Sequence, residues 1–133
     1  MSDPAAPLPR PRIAPAADEF LEPGFACPVH DRGDTVVLAP SGELDAATVG
    51  QLEHAIAAAL DKRSENLTVD LRALSFIDSS GVRALLRLTT QIGHGARLRL
   101  VPGPPQVQRV FELTGLTAAL PFTGQQAARS VPR

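Results

Sequence analysis

Segments with strand-like and helix-like hydrophobic patterns alternate along this chain, and this alternation restricts its possible folds more than any other feature. From residue 25 onward the order of elements is ββαβαβαβ. Alternating elements of this kind build a sheet whose parallel strands are joined by right-handed helical crossovers. The sequence therefore predicts an α/β fold: a single domain with a mixed, mostly parallel sheet of about 4–5 strands and about 3–4 helices.

The first two strands are expected to form a hairpin at the edge of the sheet. Apolar residues alternate with others over 25–29, and Pro28 in this run lacks the amide hydrogen that a central strand needs. Residues 32–34 have the composition of a turn, and 35–39 are apolar and β-branched. The two strands should therefore pair antiparallel, with the first one outermost.

Three amphipathic helices are expected between and after the later strands. Asp45 and Asp78 are placed as the N-caps of the first two, because an aspartate side chain accepts hydrogen bonds from unpaired first-turn amides. Prolines at 104–105 suit the start of the third helix, and Gly115 suits its end. The remaining expectations are strands at 67–71, 97–101 and 118–122, helix-ending glycines at Gly93 and Gly95, and a weak helix at 125–129. The residues expected to face the core are Val49, Leu52, Ile56 and Leu60, then Val82, Leu85, Leu86 and Ile92, then Val107, Val110 and Phe111.

The two ends of the chain differ in composition from the part between them. Residues 1–23 contain six of the prolines and are rich in alanine, so this Pro/Ala-rich tail is expected to be disordered. The domain is placed at 24–125, and 126–133 is expected to form a C-terminal tail or a short helix. No secretory leader is recognisable, and the longest apolar stretch, at 55–60, is too short to span a bilayer.

Charge and cysteine content narrow the classes of partner. The net charge of −1 comes from 13 basic and 14 acidic residues, which gives no overall attraction to nucleic acid or to an anionic membrane. The single cysteine, Cys27, allows no internal disulfide, so a cytoplasmic location is expected, with Cys27 as a small core residue. No metal or other cofactor is expected, since the three histidines are scattered at His30, His54 and His94.

Ser80 is a candidate phosphorylation site, although its position alone equally suits an unmodified first-turn serine. It lies in the first turn of the helix that Asp78 is expected to cap, where unpaired amides and the helix dipole favour an anion. Phosphorylation would add about −1.5 to −2 charges there. Asp45 is expected at the same edge of the sheet, so a phosphate would concentrate negative charge on one surface. Gly81 is expected to leave the Ser80 hydroxyl accessible.

Two motifs in a fixed order carry a resemblance to a known family. The first is SGELD at 41–45, and the second is LTVDL at 67–71 followed by LSFIDSSGV at 74–82. Together with FELTGL at 111–116 they are similar to the STAS domain family, and within it to the bacterial anti-sigma-factor antagonists. The resemblance covers residues 25–123.

The resemblance implies a specific regulatory role. In those antagonists, the serine before the glycine is phosphorylated by a partner that is both an anti-sigma factor and a serine kinase, and this serine maps to Ser80. The unphosphorylated form binds the anti-sigma factor and frees the sigma factor, and a separate serine phosphatase restores it. Ser79 is the adjacent alternative acceptor and Ser75 a more distant one. The residues expected at the partner surface are Asp45, Asp78, Ser79, Ser80, Gly81 and Arg83.

Other interpretations are weighed against this one. Asp45 and Asp78 can act as plain helix caps, Asp70 can orient the turn that follows it, and Arg83 with Arg87 can form a solvated face of one helix. Another class of stand-alone STAS protein is a non-catalytic subunit of lipid transporters, and a third would regulate an output other than a sigma factor. An enzyme is not expected, because the flanks of Ser80 do not form a nucleophile elbow and no candidate base accompanies it.

Overall fold

A computed structural model describes residues 24–92 and 96–123 of the chain. The described residues form six strands and three helices, which confirms the α/β fold. The strands are β1 (Val29–Asp31), β2 (Thr35–Leu38), β3 (Gly42–Leu44), β4 (Asn66–Asp70), β5 (Leu74–Ile77) and β6 (Arg97–Val101), and the helices are α1 (Val49–Asp61), α2 (Ser79–Ile92) and α3 (Pro105–Leu113).

The main sheet has four strands in the order β1-β2-β4-β6. β1 pairs antiparallel with β2, while β2 with β4 and β4 with β6 pair parallel. The mixed, mostly parallel sheet is therefore confirmed, with the predicted hairpin at its edge. Gly33, in the turn of this hairpin, has a φ of 89°, a conformation that glycine adopts without strain.

A second, two-stranded sheet was not predicted from the sequence. β3 and β5 pair parallel, with Leu44 opposite Ile77, and both strands consist of motif residues for which no separate strand was predicted. These strands are only three and four residues long, too short for a period-2 pattern to identify them. The SGELD segment and the LSFI part of the second motif thus share this small sheet, while the LTVD part lies in β4 of the main sheet.

Two further strand predictions need correction. The first strand was expected over 25–29, but the ladder runs over Val29–Asp31, and the earlier stretch contributes an isolated bridge between Ala26 and Ser41. The expected last strand at 118–122 reduces to a bridge between Leu100 and Phe122. Pro121, next to this bridge, has no amide hydrogen to extend a ladder. The predictions for 1–23, for 125–129 and for Gly93, His94 and Gly95 lie outside the described residues.

The core lies where the three helices cover the strands. α1 packs on β1 and β2, α2 packs on α1, β5 and β6, and α3 packs on β5. Phe111 of α3 meets Phe122 edge-to-face, with ring centroids 5.1 Å apart. Gly115 stops α3 as predicted, because it follows the last helical turn with a φ of 74°. The amide of Leu116 then donates to the Phe111 carbonyl at 2.8 Å, which closes the end of the helix. Leu52, Ile56, Val82, Leu85, Val107 and Phe111 are buried as expected, and Val49, Leu60, Leu86, Ile92 and Val110 are packed against the core while partly exposed.

Candidate functional site

The two motifs meet at the carboxyl ends of the paired strands β3 and β5. The amide of Asp78 donates to the carbonyl of Leu44 at 3.1 Å, which links the end of one strand to the end of the other. Asp45 and Asp78 therefore follow directly after neighbouring parallel strands and lie at one edge. We call the surface formed by Asp45, Asp78, Ser79 and Ser80 the switch edge.

Asp78 caps α2, as the sequence predicted. Its carboxylate oxygen Oδ1 accepts a hydrogen bond from the amide of Ser80 at 2.8 Å, and its carbonyl accepts one from the amide of Val82 at 3.1 Å. The first turn of α2 is thereby fixed to the end of β5. Helix N-termini present unpaired amides and a partial positive charge, so this turn tolerates an anion.

The two serines of this turn differ in exposure. Ser79 is exposed, whereas Ser80 is half-buried. Within residues 24–92 and 96–123, neither side-chain hydroxyl forms a hydrogen bond. Neither hydroxyl is therefore engaged by another group in that part of the chain. Ser75, the third candidate, is exposed on β5 rather than on the helix.

Asp45 does not cap α1 in the predicted way, because the helix begins four residues later, at Val49. Asp45 instead closes the preceding turn: Oδ1 accepts hydrogen bonds from the amides of Ala47 at 3.0 Å and Thr48 at 3.2 Å. Its carbonyl also accepts from the amide of Val49 at 2.8 Å. The side chain of Asp45 therefore shapes the turn at the switch edge before the regular helix starts.

Thr48 is a site residue that sequence reasoning missed. Its side chain is buried, and its hydroxyl donates to the carbonyl of Glu43 at 2.8 Å. The same hydroxyl accepts a hydrogen bond from the amide of Asp45 at 3.0 Å. Thr48 thus ties the helix start to the end of β3. The signal for it was a hydroxyl residue just ahead of an apolar helical pattern, three residues after an aspartate.

Both motif glycines are required by close packing. Gly42 has a φ of 90°, and a Cβ there would lie 1.7 Å from the carbonyl oxygen of Gly24. A Cβ on Gly81 would lie 2.7 Å from Cδ2 of Leu44 and 2.8 Å from Cγ1 of Ile77. Gly81 is buried, so the prediction that it keeps the Ser80 hydroxyl accessible gave the wrong reason for a glycine there. Its missing side chain lets α2 rest on the ends of both motif strands.

Arg83 and Arg87, four residues apart on α2, have different surroundings. Arg87 forms an ion pair with Glu53 of α1. Arg83 is exposed, and in the described part of the chain it forms no ion pair. It lies one helical turn beyond Ser79 and Ser80, on the same side of the helix. Both arginines are exposed on α2, as a solvated face requires, and Arg83 is the one next to the switch edge.

Phe76 and Glu43 are exposed neighbours that the sequence analysis did not single out. They pair across β3 and β5, one position before the strand ends. Phe76 is 46% exposed, and with Leu113 at 73% it is one of the two large apolar side chains exposed among the described residues. The switch edge is therefore bordered by an aromatic ring beside a carboxylate.

The remaining candidates do not join this edge. Asp70 accepts hydrogen bonds from the backbone and guanidinium of Arg72, and the guanidinium contact holds the pKa of Asp70 below its ordinary value. Burial raises the pKa of the Cys27 thiol to about 11, which fits a packing role. In the described ranges no three His, Cys, Asp or Glu side chains cluster as a metal site requires, and no helix there has the length and apolarity to cross a bilayer.

Comparison with known proteins decides the family. The model of the STAS domain matches residues 27–126. This chain belongs to the STAS domain family. The anti-sigma-F factor antagonist RsfB of Mycobacterium tuberculosis is 31% identical over 88 residues, which cover 66% of this STAS chain and 72% of RsfB. An anti-sigma F factor antagonist of Paenibacillus polymyxa is 30% identical over 95 residues, which cover 70% of this chain and 80% of the Paenibacillus protein.

Solved structures of antagonists share the fold of this STAS chain. An anti-sigma factor antagonist from Mycobacterium paratuberculosis is 29% identical with a TM-score of 0.71, and the match covers 85% of this chain and 99% of that one. SpoIIAA in its unphosphorylated form is 29% identical with a TM-score of 0.58, over 80% and 96% of the two chains. SpoIIAA of Bacillus in its phosphorylated form is 27% identical with a TM-score of 0.55, and the match covers 82% of this chain and 99% of SpoIIAA.

Proposed function

We propose that this STAS protein is an anti-sigma-factor antagonist whose binding is switched by phosphorylation of Ser80. The unphosphorylated form binds an anti-sigma factor that is also a serine kinase, and this binding releases the sigma factor. The kinase phosphorylates Ser80 and ends the interaction, and a serine phosphatase restores the binding form. The chain itself carries out no catalysis, and its partners place it in the cytoplasm.

The observation that carries this proposal is the position of Ser80 at the edge shared by Asp45 and Asp78. Its amide is held by the Asp78 carboxylate at 2.8 Å, and the bond from the Asp78 amide to Leu44 joins the two strand ends. A phosphate added here would meet two neighbouring carboxylates. A partner that closes over this edge would have to strip water from a phosphate dianion, which is strongly unfavourable without matched cations.

The fold itself supports a switch that acts on the surface. The first turn of α2 accommodates an anion, so phosphorylation would leave the domain folded. Gly81 packs this turn against Leu44 and Ile77, which leaves the helix little room to move. The change on phosphorylation is then in charge and bulk at the switch edge, while the backbone keeps its conformation. The partner surface in this proposal comprises Asp45, Asp78, Ser79, Ser80, the backbone at Gly81, and Arg83.

The named relatives support the same role. RsfB and the Paenibacillus relative are named as anti-sigma-F factor antagonists. SpoIIAA, which shares the fold, has been solved in both unphosphorylated and phosphorylated forms. These names describe regulators and not enzymes, which supports a role in binding for this chain.

The proposal is tested with each anti-sigma-factor serine kinase encoded in the source genome, purified and mixed with this protein and ATP. Intact-mass measurement should show the addition of one phosphate to the wild type and to Ser79→Ala, and none to Ser80→Ala. Ser80→Ala should still bind the kinase, whereas Ser80→Asp should bind at least about tenfold more weakly, since it places a fixed negative charge at the site of the phosphate.

Three results would contradict the proposal. A phosphate that persists in Ser80→Ala and disappears in Ser79→Ala would move the acceptor to Ser79. Binding of Ser80→Asp that equals the wild type would refute the charge argument. Absence of binding and phosphorylation with every kinase, together with stable association with a transporter ATPase, would assign the chain to the other STAS class.

A further inference from the structure

The outward face of the β3–β5 sheet presents an apolar ring next to the switch edge. Side chains alternate along a strand, so Leu44 and Ile77 point inward while their predecessors, Glu43 and Phe76, point outward. Phe76 lies two residues before Asp78, which corresponds to roughly 7 Å along an extended strand. The ring therefore lies close enough to Ser80 for one partner surface to cover both.

The folded domain covers Phe76 only in part. The Phe76 side chain is 46% exposed, and the aromatic contact found among the described residues joins two other phenylalanines, Phe111 and Phe122. Ser75, the preceding residue on β5, is also exposed. Single exposed apolar side chains are common on protein surfaces, so the exposure of Phe76 is informative only through its position beside Asp78 and Ser80.

Glu43 defines the charge beside the ring. Its carboxylate is exposed, and within residues 24–92 and 96–123 it forms no ion pair. Asp45 follows it after one residue at the end of the same strand. The segment beside the ring thus carries two carboxylates, and the complementary partner surface is an apolar pocket with a basic group on the rim that faces Glu43.

We propose that Phe76 is the apolar anchor by which this protein binds its kinase–anti-sigma factor, inserting into a pocket whose basic rim faces Glu43. This inference rests on the proposed function and adds a binding determinant to it. Buried aromatic residues dominate the affinity of many interfaces, while the polar contacts around them set orientation. Phe76 supplies affinity in the unphosphorylated state, and Ser80 determines whether the contact can close.

The test measures the affinity of Phe76→Ala for the purified serine kinase that binds and phosphorylates the wild type. The dissociation constant should rise about 10- to 30-fold, mainly through faster dissociation, and Phe76→Leu should recover most of this loss. In the phosphorylation assay, KM should rise while kcat stays near the wild-type value, because the ring contributes to binding and lies away from the reacting hydroxyl. Glu43→Lys should slow association at low salt.

Leu113→Ala is the matched control, since it truncates the other large apolar side chain that is exposed among the described residues. Leu113 ends α3, two turns from Gln106, whose amide reaches the carbonyl of Ser75 at 3.5 Å. It therefore lies about 10 Å further along the helix from β5. Its removal should leave the dissociation constant within about twofold of the wild type. Circular dichroism should show all variants folded.

The outcomes separate the two proposals. If a kinase binds and phosphorylates the wild type but binds Phe76→Ala equally well, the anchor is refuted and the switch at Ser80 stands. If Leu113→Ala weakens binding as much as Phe76→Ala, a specific anchor is refuted. An unchanged association rate for Glu43→Lys would overturn the basic rim. If no kinase binds the wild type, the proposed function fails and the anchor fails with it.

Discussion

Replacing Gly81 with alanine tests whether α2 is fixed by close packing against the two motif strands. The added Cβ would lie 2.7 Å from Cγ and Cδ2 of Leu44 and 2.8 Å from Cγ1 of Ile77, all below the 3.0 Å that real Cβ contacts respect. Leu44 is fully buried and Ile77 nearly so. Because both side chains are enclosed in the core, adding the Cβ forces these side chains, the helix or the strands to shift.

The magnitude follows from two opposing effects. Overpacking a well-packed core costs about 1–3 kcal/mol. Alanine in place of glycine in a helix contributes up to about 1 kcal/mol in the other direction. The net expectation is a loss of about 1 kcal/mol in the free energy of unfolding. For a domain of this size, that loss lowers the melting temperature by about 4–8 °C.

Gly50→Ala provides the matched control within the same chain. Gly50 is the second residue of α1, and a Cβ there would meet nothing within 4 Å. Helix propensity then acts alone, and this variant should gain about 0.5–1 kcal/mol. Thermal and urea unfolding followed by circular dichroism would measure both variants. If Gly81→Ala were as stable as Gly50→Ala, close packing at the start of α2 would be refuted.

Three further predictions concern residues around the same strands. Thr48→Val should lower the free energy of unfolding by about 1–3 kcal/mol, because it leaves the Glu43 carbonyl without its buried donor; a neutral result in urea unfolding would contradict that role. Asp78→Ala should cost about 1 kcal/mol through loss of the bond to the Ser80 amide, and Asp78→Asn much less; equal losses would argue against capping. Burial raises the pKa of Cys27 from 9.0 to about 11, so less of the thiol is ionised at pH 8 in the folded protein. Cys27 should therefore react with iodoacetamide roughly a hundredfold more slowly in the folded protein than in urea. Equal rates in the two conditions would show that the thiol is not buried.

The helices were predictable because each carries its own signal in a continuous stretch. In α1, Leu52 and Ile56 repeat at helical spacing, and both are buried. The ends of α3 carry Pro105 at the start and Gly115 at the stop, residues whose backbone preferences act locally. The start of α1 was predicted too early, with Asp45 as its N-cap. The Asp45 side chain instead closes the turn that precedes the helix, and the N-cap position is occupied by Thr48.

The strands of the site were not predictable, because their pairing joins distant parts of the chain. β3 and β5 are separated by α1 and β4, and nothing within either short segment identifies the other as its partner. The buried role of Gly81 has the same origin, since it depends on where Leu44 lies in the folded chain. The exposure of Phe76 likewise follows from a register that appears only once both strands are paired. The sequence identified the residues of the switch edge, and the structure explains why they are neighbours.

The split origin of the switch edge has a consequence during protein synthesis. Its first half, at Gly42–Leu44 and Asp45, leaves the ribosome well before its second half, at Leu74–Ile77 and the start of α2. The bond from the Asp78 amide to the Leu44 carbonyl forms only when both halves fold together. A nascent chain, or one cut within α1, therefore lacks the assembled switch edge. Under the proposed function, the cell's transcriptional response would then register the amount of folded antagonist and not the amount of polypeptide made.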